Sequence, residues 1–303
     1  MKLGFITSIL DGWNFDEVVD VAQEMGYKCL EVACWPNGKA ERRYAGVCHI
    51  DVANLTDADV QHIKSRCAET GIEISSLAYY PNTLAPGAAG EAAREHLGKV
   101  IDASARLGVN MVTTFIGRDQ TKTVEENFEL VEKYWRDIIK HAEDKGVKIA
   151  IENCPMLFGR DQWPGGQNLF TSPANWRRIF EILPSENLGI NFDPSHFVLQ
   201  MMDYTKPLYE FKDKIFHIHC KDMRIYKERL DEYGTFAYPE TYMEPKLPGL
   251  GQVDWGKYFS ALGDIRYDSF VCVEVEDRAF EGSRERILDS LRLSKKYLEQ
   301  YCI

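Results

Sequence analysis

Glu152, Asp193, His219 and Glu274 each stand at the end of a separate apolar run: KIAIENC, LGINFDPSH, IFHIHCKD and FVCVEVED. Such runs read as strands buried on both faces, where a carboxylate or imidazole is costly unless it is paired or bound to a metal. One group from each of four strands makes an O3N donor set for one divalent cation. Three carboxylates and an imidazole suit a hard-to-borderline ion, Mn²⁺ first, with Mg²⁺, Co²⁺ and Zn²⁺ as other occupants. No cysteine stands at these positions, which argues against a structural zinc site.

Each residue alone has a plainer explanation. Glu152 suits a buried salt bridge, Asp193 a helix cap, and one histidine of the pair His217 and His219 a hydrogen-bonded core residue. Glu276 and Asp277 read as solvated rim charges. The case rests on the set of four and on strand parity. Alternate side chains of a strand point to opposite faces. His217, His219 and Lys221 therefore share one face, and Phe216, Ile218 and Cys220 the other. Cys272, Glu274 and Glu276 likewise oppose Val271, Val273 and Val275. The polar sets face an enclosed interior if the apolar sets face covering helices.

The elements that must position these groups alternate along the chain. Strands are predicted at Leu3–Thr7, Cys29–Cys34, Ile72–Tyr79, Met111–Ile116, Lys148–Asn153, Leu188–Asp193, Ile215–Lys221 and Ser269–Val275. Helical patterns lie near 15–25, 56–70, 91–107, 123–145, 174–183, 206–213, 255–262 and 284–299. Asn14-Phe-Asp-Glu17 and Thr123-Val-Glu-Glu126 fit capping boxes, and Ser172-Pro173 fits an N-cap followed by proline. Strict alternation with near-continuous apolar strands implies a parallel sheet covered by helices. Eight such units imply an α/β fold with one (β/α)8 TIM barrel spanning 1–303. An open doubly wound sheet is disfavoured because the first turn, Thr7-Ser-Ile-Leu-Asp-Gly12, lacks a glycine-rich phosphate fingerprint. Long loops are expected at about 35–56, 155–171 and 223–253, all on the C-terminal face where barrel active sites form.

Composition narrows the function classes. The chain has 303 residues, is 45% hydrophobic and carries a formal charge of −11, a poor match to phosphate backbones, so nucleic acid is not an expected partner. No apolar stretch reaches the roughly 20 residues of a membrane span. The N-terminus lacks a signal-peptide pattern, which points to the cytoplasm. Eight cysteines occur without CxxC spacing, so no disulfide framework is expected.

The resemblance now becomes specific. IEN at 151–153, the DxxH element Asp193–His196, the HxHxKD element His217–Asp222, PGLGQVDW at 248–255 and VEVED at 273–277 resemble the xylose isomerase-like TIM barrel superfamily of sugar and inositol isomerases, epimerases and dehydratases. The resemblance implies that Glu152, Asp193, His219 and Glu274 are the metal ligands and that His196 contacts substrate hydroxyls. Lys221 is placed near the metal histidine, where it could bind a substrate oxygen. His217 is assigned to substrate as well. PGLGQVDW reads as a structural turn.

The expected chemistry is abstraction of a proton α to a keto group through an enediolate, with Glu152 and Glu274 as acid and base on opposite sides of the substrate carbon. The product is then an isomer or epimer. The alternative is a lyase or dehydratase that eliminates a β-leaving group from a keto-inositol or 3-keto-glycoside, C-glycosides included. The expected ligand is a non-phosphorylated small carbohydrate, keto-cyclitol or keto-glycoside. A homo-oligomer or a partner subunit stays open. An endonuclease IV-like activity would need further histidines; the chain has Tyr79-Tyr80, Phe115-Ile-Gly117 and Glu244-Pro-Lys246 at those places. Trp35, Tyr79 and Trp163 are candidate sugar-stacking aromatics. His49 reads as a surface histidine, and Glu31 as a lumenal group held by a structural hydrogen bond.

Overall fold

The computed structural model describes residues 1–38, 44–157 and 165–302. Eight parallel strands close a barrel: β1 (Lys2–Ile6), β2 (Cys29–Ala33), β3 (Glu73–Ala78), β4 (Met111–Thr114), β5 (Lys148–Glu152), β6 (Leu188–Phe192), β7 (Ile215–Cys220) and β10 (Phe270–Val273). β8 (Asp222–Ile225) and β9 (Met243–Lys246) form a separate antiparallel ribbon. All eight barrel strands fall where sequence predicts them, but each stops short of its expected C-terminal end. Asp193, Lys221 and Glu274 lie just past β6, β7 and β10, where the chain has left the ladder and the side chains are freed to converge.

Helices fill the β–α connections. Asn14, Thr56 and Thr123 each close a reciprocal capping box with the residue three positions on, and Ser172 caps Pro173–Ile182. The box at Thr56 uses Asp59 rather than Glu or Gln, so it falls outside the usual sequence signature. The outer core, between helices and barrel, is anchored by the fully buried Trp135, Trp176 and Trp255. Trp176 sits among Phe170, Phe192, Phe197 and Phe211 with ring centroids 5.3–6.0 Å away.

The 223–253 connection is not a plain loop. It contains the ribbon, the helix Lys227–Tyr233 and a turn of 3-10 helix at Pro239–Thr241. Its base is fastened by buried Asp222, whose carboxylate accepts from Met223 N (2.8 Å), Val253 N (2.9 Å), Gly249 N (3.0 Å) and Trp255 Nε1 (2.9 Å). Gly251 passes so close that a Cβ there would lie 2.2 Å from Asp222 Oδ1. This is the physical content of the PGLGQVDW element. Asp277, read from sequence as a solvated rim charge, is instead buried and receives Lys246 Nζ and Leu247 N, each at 3.4 Å. The reason is that the ribbon covers it. Asp222→Ala leaves three backbone N–H groups and an indole N–H without acceptors, so unfolding free energy is expected to drop by about 3 kcal/mol or more. Urea denaturation at fixed metal content checks this; a loss under 1 kcal/mol would mean water replaces the clamp.

Candidate metal centre and cavity

The C-terminal rim brings the four sequence-predicted donors together. One ligand atom each from Glu152, Asp193, His219 and Glu274 lies within 4.8 Å of the others. Glu152 is the last residue of β5; Asp193, Lys221 and Glu274 follow β6, β7 and β10 directly. His219 Nδ1 stands 3.2 Å from Glu274 Oε2 and 3.7 Å from Glu152 Oε1. It is buried and makes no hydrogen bond, and Asp193 Oδ2 is in the same condition. Buried polar atoms without hydrogen-bond partners are uncommon, and two converging on one point fit a cation in both position and chemistry.

His219 is held from behind. Its Nε2 donates to Glu31 Oε2 at 2.7 Å, which leaves Nδ1 as the nitrogen turned to the other donors. Glu31 is fully buried and accepts further bonds from Tyr80 Oη and from Thr113 Oγ1 (2.8 Å). Burial alone would raise its carboxyl, but the charges of His219 and His217 outweigh that and hold it below the usual range. The sequence reading of Glu31 as structural missed this direct link to the donor histidine, because the two residues are 188 positions apart. The strand register shifts at Leu30/Glu31 and at Ile190/Asn191, both next to this network. Irregularities of that kind re-aim side chains near functional sites.

Lys221 is buried, its Nζ 2.7 Å from Glu274 Oε2, 3.0 Å from Glu276 Oε2 and 3.2 Å from Asp193 Oδ2. Desolvation would lower its pKa; Glu274, Glu276 and Asp193 overcome that and raise it well above the ordinary lysine value. His196 Nε2 lies 3.2 Å from both Glu152 Oε1 and Asp193 Oδ2. For Glu152, burial pushes up while His219, His196 and Lys221 pull down more strongly, so it stays ionised well below the usual carboxylate range. His219 shows the converse: burial lowers it, but Glu31, Glu152 and Glu274 raise it well above a free histidine.

A cavity of about 300 Å³ opens over these groups, and Glu152, His196, Lys221 and Glu274 line it. Trp35, Tyr80 and Phe115 form part of its wall. Three expectations need correction. Tyr79 does not line the cavity; it is buried against Trp35 and His96, and its neighbour Tyr80 takes the lining position. His217 lies below the cavity, fully buried, with Nδ1 3.0 Å from Asn191 Oδ1 and Nε2 3.1 Å from Ser75 Oγ. Its place two residues before His219 puts it one barrel layer deeper, out of reach of a ligand at the rim. His49 is not on the surface. It is buried, bonded to Thr7 Oγ1 (2.8 Å) and Leu10 O (3.1 Å), and burial lowers its pKa. Trp163 lies outside the described residues.

Residues 19–297 match the xylose isomerase-like TIM barrel model. The chain belongs to that family. It is 20% identical over 306 residues to an inosose dehydratase of Lactiplantibacillus plantarum, covering 96% of this chain and 94% of that one. Among solved structures it is similar to D-psicose 3-epimerase of Clostridium cellulolyticum H10, with a TM-score of 0.72, 15% identity and coverage of 100% of this chain and 99% of that one. It is also similar to the IOLI protein with a bound zinc atom, with a TM-score of 0.70, 18% identity and coverage of 100% and 98%. At such identities the structural matches establish the fold. Two of these three similar proteins are by name an inosose dehydratase and an epimerase, and the third binds zinc. No helix among the described residues is long and apolar enough to cross a membrane.

Proposed function

We propose that the protein is a divalent-metal-dependent isomerase or epimerase of a keto-sugar. The observation that carries this reading is the placement of Glu152 and Glu274 in one cavity wall, each beside the same unbonded nitrogen of His219. Glu152, Asp193, His219 and Glu274 would hold the cation, Mn²⁺ being the first choice for this O3N set. When bound, it supplies the positive charge that stabilises the vicinal oxygens of an enediolate.

The protein groups do the proton work. Glu152 as a carboxylate takes the proton from the carbon beside the ketone; Glu274 is the group that returns one from the other side, and the roles exchange in reverse. His196, against Glu152, is placed to bind a substrate hydroxyl. Lys221 shares Asp193 and Glu274 with the cation seat, and Glu276 remains as its partner when a cation takes those donors. Tyr80 and Trp35 contribute wall contacts.

A second reading, elimination, draws support from His196 and from the inosose dehydratase relative. A proton donor on the side of the abstracting base can protonate a departing β-oxygen. Incubation of the Mn²⁺-loaded protein with ketohexoses, inososes and 3-keto-glycosides in D2O separates the two. A product that keeps every atom but has one α-hydrogen replaced by deuterium supports the first; loss of water or of an aglycone supports the second. Neither α-exchange nor loss of a group from any of these substrates would sink both.

Glu31→Gln keeps the shape of the group behind His219 and removes its charge. Divalent-metal affinity is expected to fall about 10- to 100-fold, read by competition against a chelating dye. Unchanged affinity would detach Glu31 from the metal site.

A further inference from the structure

Cys154 follows Glu152 by two residues, is partly buried and lines the same cavity. The chain around it is held by short bonds. Asn168 Nδ2 donates to Glu152 O (2.9 Å) and to Cys154 O (2.7 Å). Asn153 clamps the end of β5 to the chain after β6: its Nδ2 donates to Asp193 O (2.9 Å), and its Oδ1 accepts from Asp193 N (2.7 Å). Cys154 is thereby fixed beside His196. One ligand atom each from Glu152, Cys154 and His196 lies within 4.8 Å of the others.

His196 carries the argument. It is 4% exposed. Its Nε2 lies 3.2 Å from both Glu152 Oε1 and Asp193 Oδ2, so the proton of a neutral ring belongs on Nε2 and the lone pair on Nδ1. That Nδ1 is buried and has no hydrogen-bond partner among the described residues, an uncommon condition. Apolar packing accounts for a thiol in this place, but not for a buried imidazole nitrogen left over beside it. A thiolate and an imidazole nitrogen with one carboxylate oxygen suit Zn²⁺, or Cd²⁺ as its softer analogue, rather than Mn²⁺ or Mg²⁺. Donors around a tetrahedral zinc stand roughly 3.3–3.8 Å apart, given bonds of about 2.0–2.3 Å, so the three need close by only about 1 Å. All three residues line the cavity, which leaves a fourth position open to water.

We propose that Glu152, Cys154 and His196 form a second cation seat, selective for a thiophilic divalent ion and distinct from the O3N seat, with which it shares Glu152. On binding, the Cys154 sulfur gives its proton to the buffer, as does Nδ1 where it holds one, and both bond the ion; no electrons are transferred. The seat stands on this geometry, whichever reaction the cavity performs.

The test titrates Cd²⁺ into the whole Mn²⁺-loaded protein. Cd–thiolate charge-transfer absorption reads the sulfur bond, and electron paramagnetic resonance follows free Mn²⁺. The wild type is expected to show a saturating band of one equivalent that Cys154→Ser lacks, with Mn²⁺ staying bound. His196→Phe is expected to weaken Cd²⁺ binding at least about tenfold, no less than the loss of an outer partner costs. Serine keeps an acceptor for Met156 N, which donates to Cys154 Sγ at 3.4 Å, and circular dichroism checks the fold of both variants. An unchanged band in Cys154→Ser overturns the seat, and so does a band lost there but indifferent to His196→Phe. Release of Mn²⁺ in step with the band makes the two seats one and overturns it as well. A Cys154-dependent band in protein that holds no Mn²⁺ upholds this seat and removes the O3N one.

Discussion

Glu152→Gln and Glu274→Gln are each expected to reduce turnover by about 10³-fold or more while the barrel remains folded. General acid–base groups contribute roughly 10²- to 10⁴-fold, and on the proposed reading each carboxylate would also hold the cation. Glutamine keeps the shape and one oxygen but cannot carry the proton. The fold should survive because both residues sit on the cavity wall at the barrel's C-terminal rim and not in its apolar layers. Circular dichroism reports the fold, and α-deuterium exchange separates proton removal from later steps. A variant that binds metal, keeps the barrel and still exchanges at the wild-type rate would end the two-glutamate mechanism.

Removal of metal should abolish activity, and its return should depend steeply on pH. In the metal-free protein His219 is buried among Glu31, Glu152 and Glu274 and holds its proton well above the usual histidine pKa. Its Nδ1 can ligate only after losing that proton, so binding releases it. Affinity is expected to rise about tenfold per pH unit until the pH passes the raised pKa, then level off. Metal titration by calorimetry in two buffers of different ionisation enthalpy counts the proton; zero release at neutral pH would exclude His219 as a ligand. The stability of the metal-free protein follows the same sign. His219's raised pKa contributes stability that is complete below the unfolded value of about 6.5 and is lost as pH rises through the folded one. Glu152, depressed by its cationic neighbours, contributes stability present above about 4.3 and lost as acid protonates it.

The four converging positions were legible because each breaks an apolar run. A charge inside a buried strand is a local signal, and four such breaks in adjacent strands leave one place to converge. Residues seated by long-range contacts gave no such signal. Glu31 showed itself as a polar residue in β2, but its partner lies across the barrel in β7. Tyr79 and Tyr80 follow the end of β3, where alternation no longer says which ring points inward. His49 sits in an aperiodic insertion that folds back on Thr7 and Leu10, so neither period nor composition marks its burial. The ribbon strands are four residues each, and Pro245 interrupts the β signal of β9.

The ribbon also separates two kinds of inheritance in one chain. Its residues, with Pro239 and Glu240 between its strands, supply part of the cavity wall, yet no cation donor comes from it. It is tied to the barrel at its two feet by Asp222 and Asp277, and between them by Tyr238 Oη on Leu157 O and Arg278 on Glu240, each at 3.1 Å. A segment held by a few defined bonds is exchangeable where those bonds are kept. Transplanting 223–246 from a relative, with both aspartates kept, should change which ring is accepted without altering what is done to it.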